Sequence, residues 1–161
     1  MEQIDIDDTD LKLLELLQID ASLSNQALAE RVHVSPPTCL RRVKRLRDAG
    51  LIEREIAVLN GDKLAAALGH GLTALVEISL DRQGADWLEA FEARAIADDA
   101  VQQCYRVSPG PDFIILVHVA DMPAYLALSQ RLFTSDANVR NVKAFFSTRR
   151  AKFQPKVLLR Q

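Results

Sequence analysis

Five cations fall within seven residues at Arg41-Arg42-Val43-Lys44-Arg45-Leu46-Arg47, and the stretch Arg31–Arg47 holds six Lys or Arg and no acid. Guanidinium groups at that density suit a polyanion. Arginine presents a planar fork of N–H donors that bonds phosphate oxygens, or the O6 and N7 of guanine, two at a time. The plain alternative is a solvated cationic helix face, so the surroundings decide. A second place for chemistry is Ser108-Pro109-Gly110-Pro111-Asp112. A zwitterion needs an acceptor for its ammonium, which Asp112 supplies, and donors for its carboxylate, which the Ser108 hydroxyl and loop N–H groups supply. The same five residues also read as a stiff hairpin turn.

The cationic run must be carried by a helix with an apolar inner stripe. Asp7 or Asp8 caps a first helix, with Asp10 in its first turn where negative charge suits the dipole. Leu13, Leu14 and Leu17 recur there at helical spacing. Ser24 caps a short second helix lined by Ala27, Leu28 and Val32, which stops near His33 and Val34. Ser35-Pro36 opens a third, serine at the N-cap and proline where a missing N–H costs nothing; Gly50 closes it. Leu40, Val43 and Leu46 are read as its buried stripe, and Thr38, Arg41, Arg42 and Arg45 as a separate outward face. Two helices joined by a short turn, the second cationic outside, form a helix-turn-helix. The major groove of DNA admits one such helix, and the helix N-termini at Ser24 and Ser35 are candidate phosphate sites. This reading requires the arginines to face outward. Were those guanidinium groups locked against carboxylates of the same chain, or covered within the assembly, this reading would fail.

Length and charge set the frame. The chain has 161 residues with 48% hydrophobic and 26% charged, which excludes a disordered tail or a rod. Its net charge of −2 argues against a nucleic-acid partner until its distribution is seen. Residues 1–60 carry −3, residues 61–136 carry −6 and residues 137–161 carry +7, so the cations are local. The cationic tail, Arg140 to Arg160, is expected to pair with the acidic middle of a neighbouring subunit rather than with DNA. The run Phe113–Val117 is five residues, far short of the ~18 that a membrane span needs. An acidic start, MEQIDIDDTD, excludes a secretory or transit leader, and the expected compartment is the cytosol.

Beyond Gly50 the periodicity changes. Ile52 to Leu59 reads as a strand leading out of the first domain, and residues 60–70 as a short helix or hinge. Leu72, Ala74, Val76, Ile78 and Leu80 alternate with Thr73, Leu75, Glu77, Ser79 and Asp81, a strand with one buried face. A helix opened by Gly84, a strand Val101–Val107, a strand Phe113–Val119, a helix capped by Asp121 and a strand Val139–Thr148 complete the order βαββαβ. That order predicts a ferredoxin-like α+β sandwich, both helices on one sheet face. Leu75, Ile114 and Leu116 point to the other face, which implies cover by a second subunit and hence a homodimer. Two reading helices would then meet DNA half-sites one helical turn (~34 Å) apart. The expected domains are a winged-helix-like helix-turn-helix at 1–52, a linker strand and hinge at 53–70, and a ferredoxin-like domain at 71–161 that oligomerises through its sheet.

Three segments, IDIDDTDLKLLELLQIDASLSN, LAERVHVSPPTCLRRVKRLRDAGLI and QQCYRVSPGPDFIILVHVADMPAY, together resemble the leucine-responsive and asparagine-operon (Lrp/AsnC) regulator family over nearly the whole length. The resemblance implies a DNA-binding transcriptional regulator whose second domain dimerises, assembles to tetramers or octamers, and binds a small effector, usually an amino acid. It carries the reading role onto Ser35, Thr38, Arg41, Arg42 and Arg45, and the effector role onto Val107, Ser108, Gly110 and Asp112 with Phe133 and Thr134. One departure stands out: the family has glycine directly after the Val-Ser pair, and here Pro109 takes that place. Proline lacks the N–H that a ligand carboxylate would use, and its φ is fixed.

Other chemistry finds little support. Cys39 and Cys104 are too few for a disulfide framework and read as small hydrophobes. His33, His70 and His118 lack partners at ligand spacing, and no Walker loop, dinucleotide fingerprint, nucleophile elbow or HExxH occurs, so neither a metal nor another cofactor is expected. Two alternatives to an effector-modulated regulator stay open: an architectural chromosome-binding protein without effector, and an enzyme resembling the sirohaem decarboxylases, which share the family's fold.

Overall fold

The computed structural model describes residues 5–159, and they form two units. One runs to Val58 and takes back the chain from Lys152; the other is Leu59–Ala151. Arg160, at the end of the cationic tail, lies outside the described residues.

The first unit is a helical headpiece: α1 Asp8–Leu17, α2 Asn25–Val32 and α3 Pro36–Asp48. Each begins at the cap its sequence supplies. Asp7 accepts from the Asp10 N–H while the Asp10 carboxylate accepts from the Asp7 N–H, a reciprocal capping box. Ser24 and Ser35 cap the next two helices. His33 ends α2 with φ of 57°, a left-handed residue that is not glycine, and Gly50 follows α3 with φ of 73°. Leu13, Leu28, Ala29, Val32, Cys39, Val43 and Leu46 form its core. Two stripe assignments change. Ala29 is buried where Ala27 is only half-buried, and Leu40 is 60% exposed, its expected place taken by Cys39. Residues 53–59 are exposed and form no strand, so the expected linker strand is extended chain without a sheet partner among the described residues. The tail returns to this unit: the Gln18 side-chain amide donates to the Val157 carbonyl at 3.0 Å and accepts from the Val157 N–H at 2.9 Å. The tail is thus tied at Val157 to the residue that caps the end of the chain's own α1.

The second unit begins with α4 Gly61–Leu68, followed by β1 Leu72–Leu80, α5 Ala85–Ile96, β2 Val101–Arg106, β3 Phe113–Val119, α6 Met122–Ser129 and β4 Val139–Phe146. The four strands form one antiparallel sheet in the order β2-β3-β1-β4, the topology that βαββαβ demands. A wider π-type turn, Gln130–Thr134, prolongs α6. Ala74, Val76, Ile78, Leu80, Phe113, Ile115 and Val117 face Phe91, Ala95, Tyr125, Leu128 and Phe133 in the core. Period-two alternation thus puts β1 and β3 where the sequence reading placed them. Leu126 and Ile96, apolar by sequence, are exposed. Arg131 holds Asp98 at 2.5 and 3.0 Å, closing the turn after α5, and keeps that carboxyl below the usual carboxylate range. Among the described residues, no helix is long and apolar enough to cross a membrane.

Candidate nucleic-acid interface and effector loop

Cys39, Val43 and Leu46 recur every three to four residues and pin α3 to the headpiece core. Its start is fixed by Asn25, whose side-chain N–H donates to the Pro36 carbonyl at 2.8 Å, tying the N-termini of α2 and α3 together. With a rotation of about 100° per residue, Arg41 lies opposite the buried stripe, while Arg42 and Arg45 lie on its flank.

That flank faces the N-terminus of α1. The Asp10 side chain is 0% exposed. Its Oδ1 accepts from Arg42 at 2.9 Å, and its Oδ2 accepts from Arg45. The same Arg42 nitrogen donates to Asp7 at 2.7 Å. Arg42 is only 26% exposed along its side chain and Arg45 44%. The Asp10 backbone N–H, then Arg42, hold the Asp7 carboxyl below its usual range, and the two aspartates raise the Arg42 pKa. Arg42 Nε is buried without a hydrogen-bond partner. The expectation that Arg41, Arg42 and Arg45 all face outward is therefore corrected. Arg42 and Arg45 are bound to carboxylates of their own chain; Arg41 stands exposed.

The helix N-termini also divide. Pro36 and Pro37 have no N–H, and the next two donors of α3 are used, Thr38 N–H by the Ser35 hydroxyl and Cys39 N–H by the Ser35 carbonyl. The Ser35 hydroxyl in turn donates to Thr38 Oγ1 at 2.9 Å. The phosphate site expected at Ser35 thus has no backbone donors left in that first turn. At α2, Ser24 caps the Ala27 N–H, and the N–H groups of Asn25 and Gln26 stay available.

In the second unit, residues 107–112 join β2 to β3. The Val107 N–H donates to the Asp112 carbonyl and the Asp112 N–H to the Ile78 carbonyl. Pro109 and Pro111 have none, so the loop keeps the N–H groups of Ser108 and Gly110 for a ligand. Gly110 has φ of +129°, a conformation other residues rarely adopt. Two expected roles shift. One Asp112 oxygen accepts from the Leu80 N–H at 2.7 Å, so this carboxylate ties the loop to β1 and offers a ligand only its other oxygen. Phe133 is 3% exposed and belongs to the core, while Thr134 beside it is exposed.

Residues 6–47 match the AsnC-type helix-turn-helix domain, and residues 73–157, more than half of the chain, match the Lrp/AsnC ligand binding domain. The chain belongs to the Lrp/AsnC family. Over 150 residues it is 34% identical to a leucine-responsive regulatory protein of Rhizobium meliloti, covering 93% of this chain and 94% of that one. An AsnC family transcriptional regulator from Agrobacterium tumefaciens superposes with a TM-score of 0.83 at 28% identity, covering 96% and 97% of the two chains. A transcriptional regulator from Neisseria meningitidis, solved as an L-Met complex, gives the same score and coverage at 30% identity.

As a member of the Lrp/AsnC family the chain is a transcriptional regulator with a ligand-binding domain, not an enzyme, which removes the decarboxylase alternative. Three residues that matter to its helix-turn-helix escaped the sequence reading. Asp10 was assigned to the helix dipole alone, Leu40 to the core, and Asn25 to no role. The signal for Asp10 was available: two arginines three residues apart flank a stripe that starts at Cys39.

Proposed function

We propose that this regulator binds duplex DNA sequence-specifically through α3 and that an amino acid, bound at the loop 107–112, alters its affinity or assembly. The observation that carries the DNA reading is the exposed Arg41 at the second turn of a helix whose opposite face is buried in the headpiece. Ser35 and Thr38 open that helix, Arg42 and Arg45 flank it, and the N-terminus of α2 at Ser24 supplies phosphate contacts. The test is selection from a pool of random duplexes. One sequence should be enriched and bound on the order of a thousandfold or more above random duplex at physiological salt. Equal, steeply salt-dependent binding to all duplexes would instead mark an architectural chromosome protein.

The effector reading rests on the ligand-binding domain and on the L-Met complex of the Neisseria relative. Val107, Ser108, Gly110, Asp112 and Thr134 form the proposed site, backed from the core by Phe133, with Ser108 and Gly110 donating and Thr134 and the second Asp112 oxygen accepting. Thermal-shift screening of the twenty amino acids checks this. A ligand at 100 times its Kd stabilises by ~2.7 kcal/mol. No shift with any of them would leave Pro109 as the reason for a silent loop.

A homodimer, and tetramers or octamers built from it, are proposed on the outer sheet face. Leu116, Leu75 and Phe145 lie in one cross-strand row, with Tyr105 and Ile114 in the next. Leu75, Tyr105 and Phe145 are exposed. Exposed large apolar side chains on one sheet face, here rimmed by Gln103, Glu77 and Lys143, suit an interface. Leu75→Asp is expected to shift the molar mass by light scattering toward that of one chain, with the Trp87 unfolding transition no longer dependent on protein concentration.

A further inference from the structure

α3 carries two kinds of arginine, and the division has a consequence for which DNA sequence is read. This rests on the duplex-binding reading above. Arg42 gives one terminal nitrogen to both Asp7 and Asp10, a carboxylate with no exposure of its own, and its Nε is buried; Arg45 gives one terminal nitrogen to the same Asp10. Guanine recognition requires a guanidinium to present two parallel N–H groups to O6 and N7. For Arg42, doing so means stripping a buried carboxylate of a partner, which costs more than a rim contact returns. Arg41 has no such tie. Beside it stands Leu40, 60% exposed in the first turns of the reading helix, a large apolar side chain in the midst of cations. Lys44, one turn on from both, is bound to Asp48. The first turn offers no backbone donors, so the contacts that distinguish bases fall to side chains on this outer face.

We propose that Leu40 and Arg41 are the specificity-determining pair, Arg41 bonding a guanine and Leu40 packing on the C5-methyl of a neighbouring thymine, while Asp10, Arg42 and Arg45 are positioning residues that set the angle of α3. The chemistry fits. In the major groove the thymine methyl is the one apolar feature that an aliphatic side chain reads, and it adjoins the hydrogen-bonding edge that arginine reads.

The test starts from the sequence that the wild type enriches from random duplexes. Thymines in that site are replaced one at a time by uracil, which removes only the methyl, and contacted guanines by 7-deazaguanine, which removes only N7. One uracil should weaken the wild type roughly fourfold, the worth of a single methyl group withdrawn from water, and leave Leu40→Ala unaffected. One 7-deazaguanine should weaken the wild type and leave Arg41→Ala unaffected. Arg42→Lys keeps a cation beside Asp10 and loses the fork; it should enrich the same sequence as the wild type, with a lower unfolding midpoint. A wild type indifferent to every uracil, a Leu40→Ala variant as sensitive to uracil as the wild type, or a changed sequence preference in Arg42→Lys would overturn the assignment. A wild type that enriches no sequence overturns the duplex-reading proposal itself, and this one with it.

Discussion

Asp10→Ala should destabilise the headpiece by about 3 kcal/mol, the lower end of what truncating one partner of a buried charge pair costs. The lower end applies because Arg45 is 44% exposed and can rehydrate, whereas Arg42 cannot do so fully. Its Nε is already without a partner, and loss of Asp10 leaves the guanidinium with Asp7 alone. The Asp7 N–H loses its side of the capping box as well, worth roughly 1 kcal/mol of helix stability by itself. At roughly 4–8 °C per kcal/mol for a domain of this size, the shift is large. The single tryptophan, Trp87, sits on α5, so its fluorescence follows the second unit only. The helical circular-dichroism transition of the headpiece should fall with the Trp87 transition in place. A headpiece midpoint within about 0.5 kcal/mol of wild type, the scale of an ordinary surface substitution, would show that the network holds nothing.

Phe113→Ala should act on the other unit, by about 3–5 kcal/mol. Phe113 is fully buried at the start of β3, its ring 4.8 Å from that of Phe91 and tilted by 37°. Neighbouring main chain holds it on two sides, Ile78 of β1 and Arg106 of β2. Little can collapse into the vacated space. The Trp87 transition should drop and the headpiece transition should not. Ile114→Ala is the matched control: one residue on, it points to the opposite sheet face and is only half-buried. It should cost the folded chain far less and weaken self-association instead. Equal losses for the two variants would contradict the alternation on which the sheet was read.

How far the sequence carried the reading follows from which signals are local. Period-two alternation in β1 and caps at Asp7, Ser24, Ser35 and Asp121 are local, and they placed those elements within a residue or two. The orientation of α3 was not local. Counting from Leu40 rather than Cys39 turns the helix by roughly 30° about its axis, which is enough to move Arg42 from the buried side to the outward one. Cysteine is a small hydrophobe that periodicity undervalues, and leucine the larger side chain that it overvalues. The partner that fixes the true orientation, Asp10, lies 32 residues earlier in the chain from Arg42, beyond any spacing rule. The loop 107–112 was legible as a turn, yet Asp112's bond to Leu80 crosses 32 residues too and was not. Phe133, assigned by resemblance to a pocket, is buried in the core on the π-type turn that prolongs α6.

The return of the tail to α1 makes the headpiece a discontinuous domain, assembled from both ends of the chain with the sheet unit threaded between. Two covalent crossings then link the units, near Val58 and near Ala151, in place of one flexible leash. A protease nick in the exposed stretch at 147–151 would strip a length of chain from the headpiece while sparing the sheet unit.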